Sequence, residues 1–433
     1  MDPLVAAVVC IVIMVIMLNT GLPIAYSIGF SSMLVGFFTY GEIALEKLGW
    51  TTFHTVFNPA WTPLPLFTFI GALISQTKMG EDLFKAARLW LSRLPGALIV
   101  STIIGQASMA AVLGASAPTI LAIGPIAMPE LKRYNYDRSM SVGALTCGGV
   151  LGPLIPPSAT AIIIAGLMNL SLGPLLIAGI LPGILLAILL STVPIIKCAR
   201  NPSLGPAAGK VSWSERFSSL KRVWPVVVTF FAILGSIFFG IATATEAGGV
   251  GAFIVLIVAW TVYGVRGKQI YEALMQTVKI NAQILIIIVG AGFFSYIVGS
   301  QTLARQLVDW VTIAGTNPIV IIIMIMILLL ILGCFIEGMT IMMITIPIFT
   351  PLVKSMGYDP IWFAVLFMVN MEMSLITPPM GINFFLVKGL FDVPSMDLLR
   401  GVVPYMGALL IFILIIIIFP EIALVLPRLM IGG

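Results

Sequence analysis

Four short breaks interrupt the apolar stretches of this chain, at 114–118, 155–158, 337–340 and 377–380, and two of them contain Pro-Pro pairs. A helix that ends at a break leaves carbonyl groups unpaired and directs partial negative charge into the gap. A helix that starts there directs free N–H groups and partial positive charge. The first arrangement suits Na⁺ and the second suits a carboxylate. A single proline often only kinks a helix, but Pro-Pro pairs at two matching positions favour a binding site.

We expect the substrate cavity to be formed where these breaks meet. No arginine occurs in the apolar stretches around them, so recognition of an anion would rest on backbone amides and hydroxyl groups. The predicted cavity residues are Gly114, Ala115, Ser116, Thr119, Pro156, Pro157, Thr160, Glu337, Gly338, Thr340, Pro378, Pro379 and Gly381.

Two carboxylates, Glu337 and Glu372, lie deep in apolar sequence. A charged group within a membrane is costly and is a candidate for function by default. Each could bind a cation, carry a proton or accept hydrogen bonds from a free helix end. A purely structural role remains equally open for both.

The helix ends at the breaks also predict two sodium sites that consist mainly of main-chain carbonyls. In the second half, Gly333 lacks a side chain and allows two backbones to approach closely. One site is predicted at Gly333, Ser374, Thr377 and Met380. Subtracting 222 from each number gives the other site, at Ala111, Gly152, Ile155 and Ser158. Because Ala and Ile side chains cannot bind a cation, this second site requires backbone coordination. We expect Na⁺ at both sites and no organic cofactor.

These breaks must lie within segments that a lipid bilayer surrounds. Hydrophobic residues make up 60% of the 433 residues and charged residues only 9%, whereas soluble domains are about one quarter charged. Apolar runs of about 17–25 residues, the length of a membrane-spanning helix, recur along the chain. The first, 4–18, has no preceding Lys or Arg, so we interpret it as an uncleaved transmembrane helix. The sequence therefore predicts an all-α polytopic membrane protein.

The remaining composition excludes several classes of function. His54 is the only histidine, which argues against His-rich metal sites and the usual Ser-His or Cys-His catalysis. The four cysteines form no CxxC pair, and the net charge of +5 comes from basic residues scattered through loops. Neither a disulfide framework nor nucleic-acid binding is indicated.

The two halves of the chain match at a constant offset of 222 residues. Pro125 pairs with Pro347, Tyr136-Asp137 with Tyr358-Asp359, and Pro156-Pro157 with Pro378-Pro379. This many matches in one register predicts an internal duplication. The predicted units are a first inverted repeat (1–196, with scaffold 1–57 and a hairpin and broken helix at 96–168), a cytoplasmic linker (197–223) and a second inverted repeat (224–433, with scaffold 224–279 and a hairpin and broken helix at 318–390). Within the second repeat we expect an interfacial helix at 268–279, followed by a separate span at 281–299.

The distribution of basic residues predicts the topology. If the interrupted stretch before each Tyr-Asp is a re-entrant hairpin, each half has five crossings and the second half is inverted. In that arrangement 18 of the 22 Lys and Arg residues lie on one side, and only Lys47, Arg305, Lys354 and Arg428 lie on the other. The positive-inside rule makes the first side cytoplasmic and both termini periplasmic. Full crossings at the hairpins would divide the basic loops between the two sides.

The chain resembles the large membrane subunit of tripartite ATP-independent periplasmic (TRAP) transporters. The resemblance rests on GGVLGPLIPPSATAIIIAG at 148–166, GMTIMMITIPIFTPLVKSMGYDP at 338–360 and LITPPMGINFFLVKG at 375–389, and covers nearly the whole chain. It implies an elevator-type fold and sodium-coupled uptake of an organic acid across the bacterial inner membrane. It also implies a separate small four-helix membrane subunit and a soluble periplasmic binding protein. The family's usual Gly-Ser-Ser at the first hairpin tip is Gly114-Ala115-Ser116 here, so one hydroxyl is missing.

Three alternatives remain open. A stand-alone sodium/dicarboxylate symporter would use the same helix breaks without a binding protein. A membrane-embedded enzyme, such as a protease, is disfavoured because the sequence has no HExxH, no paired aspartates at a GxGD and no histidine suited to act as a base. A channel would fit paired re-entrant hairpins less well.

Overall fold

The computed structural model describes residues 3–206, 211–298, 309, 317–334, 336, 338–378 and 381–430, and its regular structure is helical. The α-helices are α1 (Pro3–Asn19), α2 (Ile24–Tyr40), α3 (Ile43–Val56), α4 (Pro63–Ser75), α5 (Met79–Trp90), α6 (Ala97–Leu113), α7 (Ser116–Arg133), α8 (Arg138–Gly148), α9 (Leu151–Leu154), α10 (Ala159–Met168), α11 (Leu172–Ala178), α12 (Ile180–Arg200), α13 (Trp213–Phe238), α14 (Ala244–Thr261), α15 (Gly267–Val298), α16 (Pro318–Gly333), α17 (Gly338–Ser355), α18 (Pro360–Leu375), α19 (Ile382–Phe391), α20 (Ser395–Ile418) and α21 (Glu421–Arg428).

Six of these helical segments, in the part of the chain that the structure describes, are long and apolar enough to cross a membrane. A seventh is added if the pair Arg138–Leu154 and Ala159–Met168, bent by 46° at its break, counts as one span. Large apolar side chains on α13 and α14, such as Phe231 and Phe253, are exposed, as a lipid-facing surface requires. The predicted all-α polytopic membrane protein is confirmed.

Helix boundaries repeat at the 222-residue offset found in the sequence. Helices α7 and α17 start at Ser116 and Gly338 and end at Arg133 and Ser355, while α8 and α18 start at Arg138 and Pro360. The preceding aspartates, Asp137 and Asp359, each cap the next helix through a side-chain oxygen. The same offset therefore relates local structure as well as residue types.

Each half contains a helical hairpin followed by a broken helix. In the first half, α6 and α7 pack against each other and are joined by Gly114 and Ala115. The corresponding pair in the second half is α16 and α17. The halves interlock. Helix α10, which follows the break at 155–158, contacts α17 of the second half, and α19, which follows the break at 377–380, contacts α7 and α8 of the first half. All four breaks therefore belong to one packed unit.

Helix α15 differs from the sequence prediction. An interfacial helix at 268–279 and a separate span at 281–299 were expected, but Gly267–Val298 form one continuous helix of 32 residues. No proline or glycine separates the two parts, and the Asn281 side chain donates to the Thr277 carbonyl within the helix, at 2.8 Å. A second bond from Asn281, to Thr68 Oγ1 at 2.7 Å, attaches α15 to α4. The sequence also predicts a short amphipathic segment at 302–314, which lies, apart from Asp309, outside the described residues.

Many of the loops that carry basic residues meet at one end of the molecule. Arg138 donates to the carbonyl of Asp392 at 2.8 Å, and Asp137 N donates to Leu204 O at 2.9 Å. Buried Arg216 donates to Ser92 at 3.2 Å and stacks over the Trp213 ring. We call this the polar end.

Tyrosine and acidic groups complete the polar end. Tyr263 donates to Asp82 at 3.2 Å, and Arg88 forms an ion pair with Glu130. Burial, and then the nearby negative charge of Asp82, hold the pKa of Tyr263 well above its usual value. The Tyr263 hydroxyl therefore keeps its proton and remains a donor. The gathering of these loops agrees with the predicted topology, whose orientation in the membrane stays a prediction.

Candidate ion and substrate site

In the first repeat, the hairpin tip packs directly on the break of the broken helix. The tip residue Gly114 has a φ of 63°, and its carbonyl accepts a hydrogen bond from Ala159 N at 3.2 Å. A Cβ atom at Gly114 would overlap the carbonyl of Pro157, and one at Gly152 would lie 2.5 Å from the Ala115 carbonyl. The two predicted breaks at 114–118 and 155–158 therefore form one structural site that leaves no room for side chains at either glycine.

The second repeat brings its breaks together in a similar way. A Cβ atom at Gly333, the last residue of α16, would overlap the side chain of Ser374 near the end of α18. A Cβ atom at Gly381 would lie 2.8 Å from Leu375 O and 3.0 Å from Thr377 O. The end of α18 thus presents two carbonyl oxygens beside the start of α19. Glu337, Pro379 and Met380 lie outside the described residues.

The predicted sodium residues are only partly gathered by these contacts. Gly333 and Ser374 touch, and Thr377 O faces Gly381 next to them. In the other set, Gly152 lies against Ala115, while Ser158 lies against Gly114. Ala111 and Ile155 line an apolar cavity of about 370 Å³. The Ser158 hydroxyl oxygen caps α10 by accepting from Ala161 N at 3.1 Å. Both ion sites stay predictions.

The described residues of the predicted substrate cavity lie at the starts of helices or in the breaks that precede them. Thr119, Thr340 and Ser116 are buried, while Thr160 and Pro378 are half-buried. Helix α10 has a side-chain cap from Ser158, whereas the N-caps of α7 and α19, Ala115 and Gly381, provide no side-chain cap. The first N–H groups of α7 and α19 therefore keep the partial positive charge that a carboxylate requires.

Buried amide side chains bind the hairpins to the broken helices, and the sequence reasoning missed them. Gln106 on α6 donates to Leu145 O on α8 at 2.8 Å, and Asn370 on α18 donates to Met326 O on α16 at 2.9 Å. Asn370 corresponds by the offset to Gly148, and a Cβ atom at Gly148 would overlap the Gln106 amide. The available signal in each case was a single amide side chain inside an apolar stretch. Glu372, also on α18, is buried at 5% exposure.

A second cavity lies at the end opposite the basic loops. It has a volume of about 640 Å³ and separates α3 and α15 from α10 and α17. Its lining contains the only histidine, His54, and Lys354, one of the few basic residues predicted on the periplasmic side. The remaining lining residues include Trp50, Asn58, Asn169 and Thr350. The cavity could admit a polar molecule between the predicted scaffold and the packed breaks.

Residues 11–422 match the family described as the tripartite ATP-independent periplasmic transporter, DctM component. The chain belongs to this family. The resemblance found in the sequence is therefore confirmed. Since similar proteins are named permeases, the interpretation of this DctM-family protein as a transporter component and not an enzyme is also confirmed.

Two curated relatives match almost end to end. The chain is 31% identical over 403 residues to the C4-dicarboxylate TRAP transporter large permease protein DctM of Pseudomonas aeruginosa, covering 93% of this chain and 94% of that protein. It is 28% identical to the sialic acid TRAP transporter large permease protein SiaM of Vibrio cholerae, covering 96% and 97%.

A solved structure supports the fold. The YdaH transporter of Alcanivorax borkumensis superposes with a TM-score of 0.62 at 14% sequence identity, covering 86% of this DctM-family chain and 88% of that chain. At this identity the similarity concerns the fold alone, which is that of a helical membrane transporter.

Proposed function

We propose that this DctM-family protein performs sodium-coupled secondary active uptake of an organic acid across the bacterial inner membrane. The observation that carries the proposal is the packing of the helix breaks. In each repeat, a helix end lies close to an uncapped helix start, so that a cation site and a carboxylate site would adjoin. A transporter built this way binds the anion well only when the cation neutralises the neighbouring carbonyls.

The relatives' names support an acidic substrate. One relative is named for C4-dicarboxylates and another for sialic acid, and both substrates carry carboxylate groups. Four helices, α7, α10, α17 and α19, start at the breaks of the packed unit, and the sequence places no arginine in the apolar stretches around them. Backbone amides and hydroxyls would therefore hold the carboxylate.

We further propose two partners, a separate small membrane subunit with four helices and a soluble periplasmic protein that delivers the substrate. The family description calls the system tripartite and periplasmic, which supports both partners. Both termini and Lys354 would face the periplasm, and the polar end would face the cytoplasm. The unit that contains the breaks would then move as an elevator against the scaffold.

Uptake into proteoliposomes tests the proposal. The large subunit is reconstituted with its small subunit, and uptake of radiolabelled malate, succinate and sialic acid is followed with each candidate binding protein. We expect uptake that requires both an inward Na⁺ gradient and a binding protein. Uptake of equal rate in K⁺ without Na⁺ would contradict sodium coupling. Strong uptake without any soluble partner would favour the stand-alone sodium/dicarboxylate symporter.

A further inference from the structure

The first turn of α19 contains a buried amide that the helix packing does not explain. Asn383 is 0% exposed, and neither its Oδ1 nor its Nδ2 has a hydrogen-bond partner in the described part of the chain. Buried amides almost always have partners, because an unpaired donor and acceptor both lose their bonds to water. Asn383 is therefore poised to bind a group that the described part of the chain does not supply.

Helix geometry directs the Asn383 amide toward the N-terminal start of α19. Asn383 is the second residue of α19, after Ile382, and the N-cap residue Gly381 makes no side-chain cap. Side chains on an α-helix tilt toward its N-terminus, so the Asn383 amide leans toward the open start of α19. The free N–H groups of this first turn point in the same direction.

The start of α19 and the start of α7 lie at the same depth, measured along the helices from the polar end. The two helices contact each other, and the Phe391 ring lies 3.0 Å from the position of a Cβ atom on Gly124. Both helices run from their break toward the polar end, where Arg138, just after α7, donates to Asp392, just after α19. Eight residues separate Phe391 from Asn383 and also Gly124 from Ser116, about 12 Å in each helix. Asn383 and Ser116 therefore lie at the same depth.

We propose that Asn383, together with the uncapped starts of α7 and α19, forms a subsite for a 2-hydroxy acid. Asn383 Nδ2 and the free N–H groups donate to the carboxylate. Asn383 Oδ1 accepts from the hydroxyl on the neighbouring carbon. Two positive helix ends disfavour an ammonium group or Na⁺ at this position, so a neutral hydroxyl is the donor that fits. This inference rests on the proposed uptake of an organic acid and adds the chemical class of the substrate.

Ligand-induced thermal stabilisation of the complex of large and small subunits, in NaCl, tests the subsite with matched pairs of acids. The pairs are lactate with propionate and malate with succinate, which differ only by the hydroxyl. We expect each hydroxy acid to bind on the order of tenfold more tightly than its partner, the effect of one additional hydrogen bond. In Asn383→Leu, both acids of each pair should bind more weakly, because the Nδ2 donor to the carboxylate is lost, and the preference for the hydroxy acid should disappear.

Two controls separate binding from folding. Without ligand, Asn383→Leu should unfold at the same or a higher temperature, because leucine replaces an unpaired buried amide. Asn281→Leu, which removes a buried amide whose nitrogen donates to partners in α15 and α4, should keep the preference for hydroxy acids.

The subsite would be overturned if the wild type bound both acids of each pair equally well, or if none of the four acids stabilised it. It would also be overturned if Asn383→Leu kept the preference for hydroxy acids, or if that variant failed to fold. None of these contradicts the proposed function, which fails only if sodium-driven uptake of organic acids is absent.

Discussion

At the scale of single residues, glycines determine whether the breaks can pack. Gly114, Gly152 and Gly333 each lie against another backbone or side chain at a distance that excludes a Cβ atom. These glycines let the helix ends approach closely, as the two predicted ion sites require. Sequence alone suggested this for Gly333, and the structure adds its contact with Ser374.

A methyl group at Gly333 should therefore damage the protein. The new Cβ of Gly333→Ala would overlap the Ser374 side chain, so we expect a loss of stability of about 1–3 kcal/mol from overpacking and weaker sodium dependence of uptake. Gly235→Ala is the matched control, because nothing lies within 4 Å of a Cβ atom at this position in α13. It should be neutral or stabilising by about 0.5–1 kcal/mol. Thermal unfolding of both variants distinguishes them, and equal midpoints would refute the close contact.

Thr377 offers a test of the sodium prediction. Its hydroxyl donates to Met373 O at 2.7 Å and keeps its oxygen lone pairs available for a cation. If this oxygen is a ligand, Thr377→Val should weaken sodium affinity by about tenfold, the equivalent of about 1.4 kcal/mol. Ile155→Val retains its carbonyl and should leave sodium affinity unchanged. Sodium titrations of uptake measure both, and an unchanged affinity in Thr377→Val would exclude its side chain as a ligand.

At the scale of elements, the two repeats use the same kind of bond in opposite directions. In the first, the amide of Gln106 reaches from the hairpin helix to the broken helix, and in the second the amide of Asn370 reaches from the broken helix to the hairpin helix. Gly148 leaves space for the Gln106 amide at the position that Asn370 occupies in the other repeat. The duplication thus preserved the link between elements but not the residue that makes it.

These amides should stabilise the unit that contains the breaks. Asn370→Ala removes a fully buried donor to Met326 O and leaves a cavity, so we expect a loss of about 1–3 kcal/mol. Thr20→Ala is a suitable comparison, since its hydroxyl also donates to a carbonyl but lies exposed at the end of α1, and its loss should cost less than about 0.5 kcal/mol. Denaturation of the purified complex gives both values. A smaller effect at Asn370 than at Thr20 would contradict this role.

At the scale of the whole molecule, the two ends of the protein differ in charge and in packing. The polar end collects Arg88, Arg138, Arg216 and Arg222 with their partners. The opposite end has the large cavity with His54 and Lys354. A chain whose basic loops meet on one side is oriented by the positive-inside rule, so the polar end should be cytoplasmic.

Cysteine labelling checks this orientation. Cys10, Cys147 and Cys198 are buried, whereas Cys334 is partly exposed and is first replaced by alanine to remove background. A cysteine at Lys354 should then react with a membrane-impermeant maleimide in intact cells. A cysteine at exposed Ser203, in the linker after α12, should react only after permeabilisation. Labelling of Ser203→Cys from outside would reverse the proposed topology.

The sequence alone determined the membrane environment, the internal duplication and the positions of the breaks, because apolar length, proline placement and a constant offset are local properties of the chain. It also suggested the DctM family through contiguous motifs at 148–166 and 338–360. The continuity of α15 was mispredicted, because a polar residue such as Asn281 inside a helix resembles a boundary when its partners are unknown.

The pairing of segments around the breaks is visible only in the tertiary structure. The contacts of α10 with α17 and of α19 with α7 join segments about 180 to 270 residues apart, and no pattern within one segment specifies such pairing. For the same reason the buried amides of Gln106, Asn370 and Asn383 could not be interpreted from the sequence. Whether an amide is bonded, exposed or left without a partner depends on the opposing helix, and that helix is supplied by the fold.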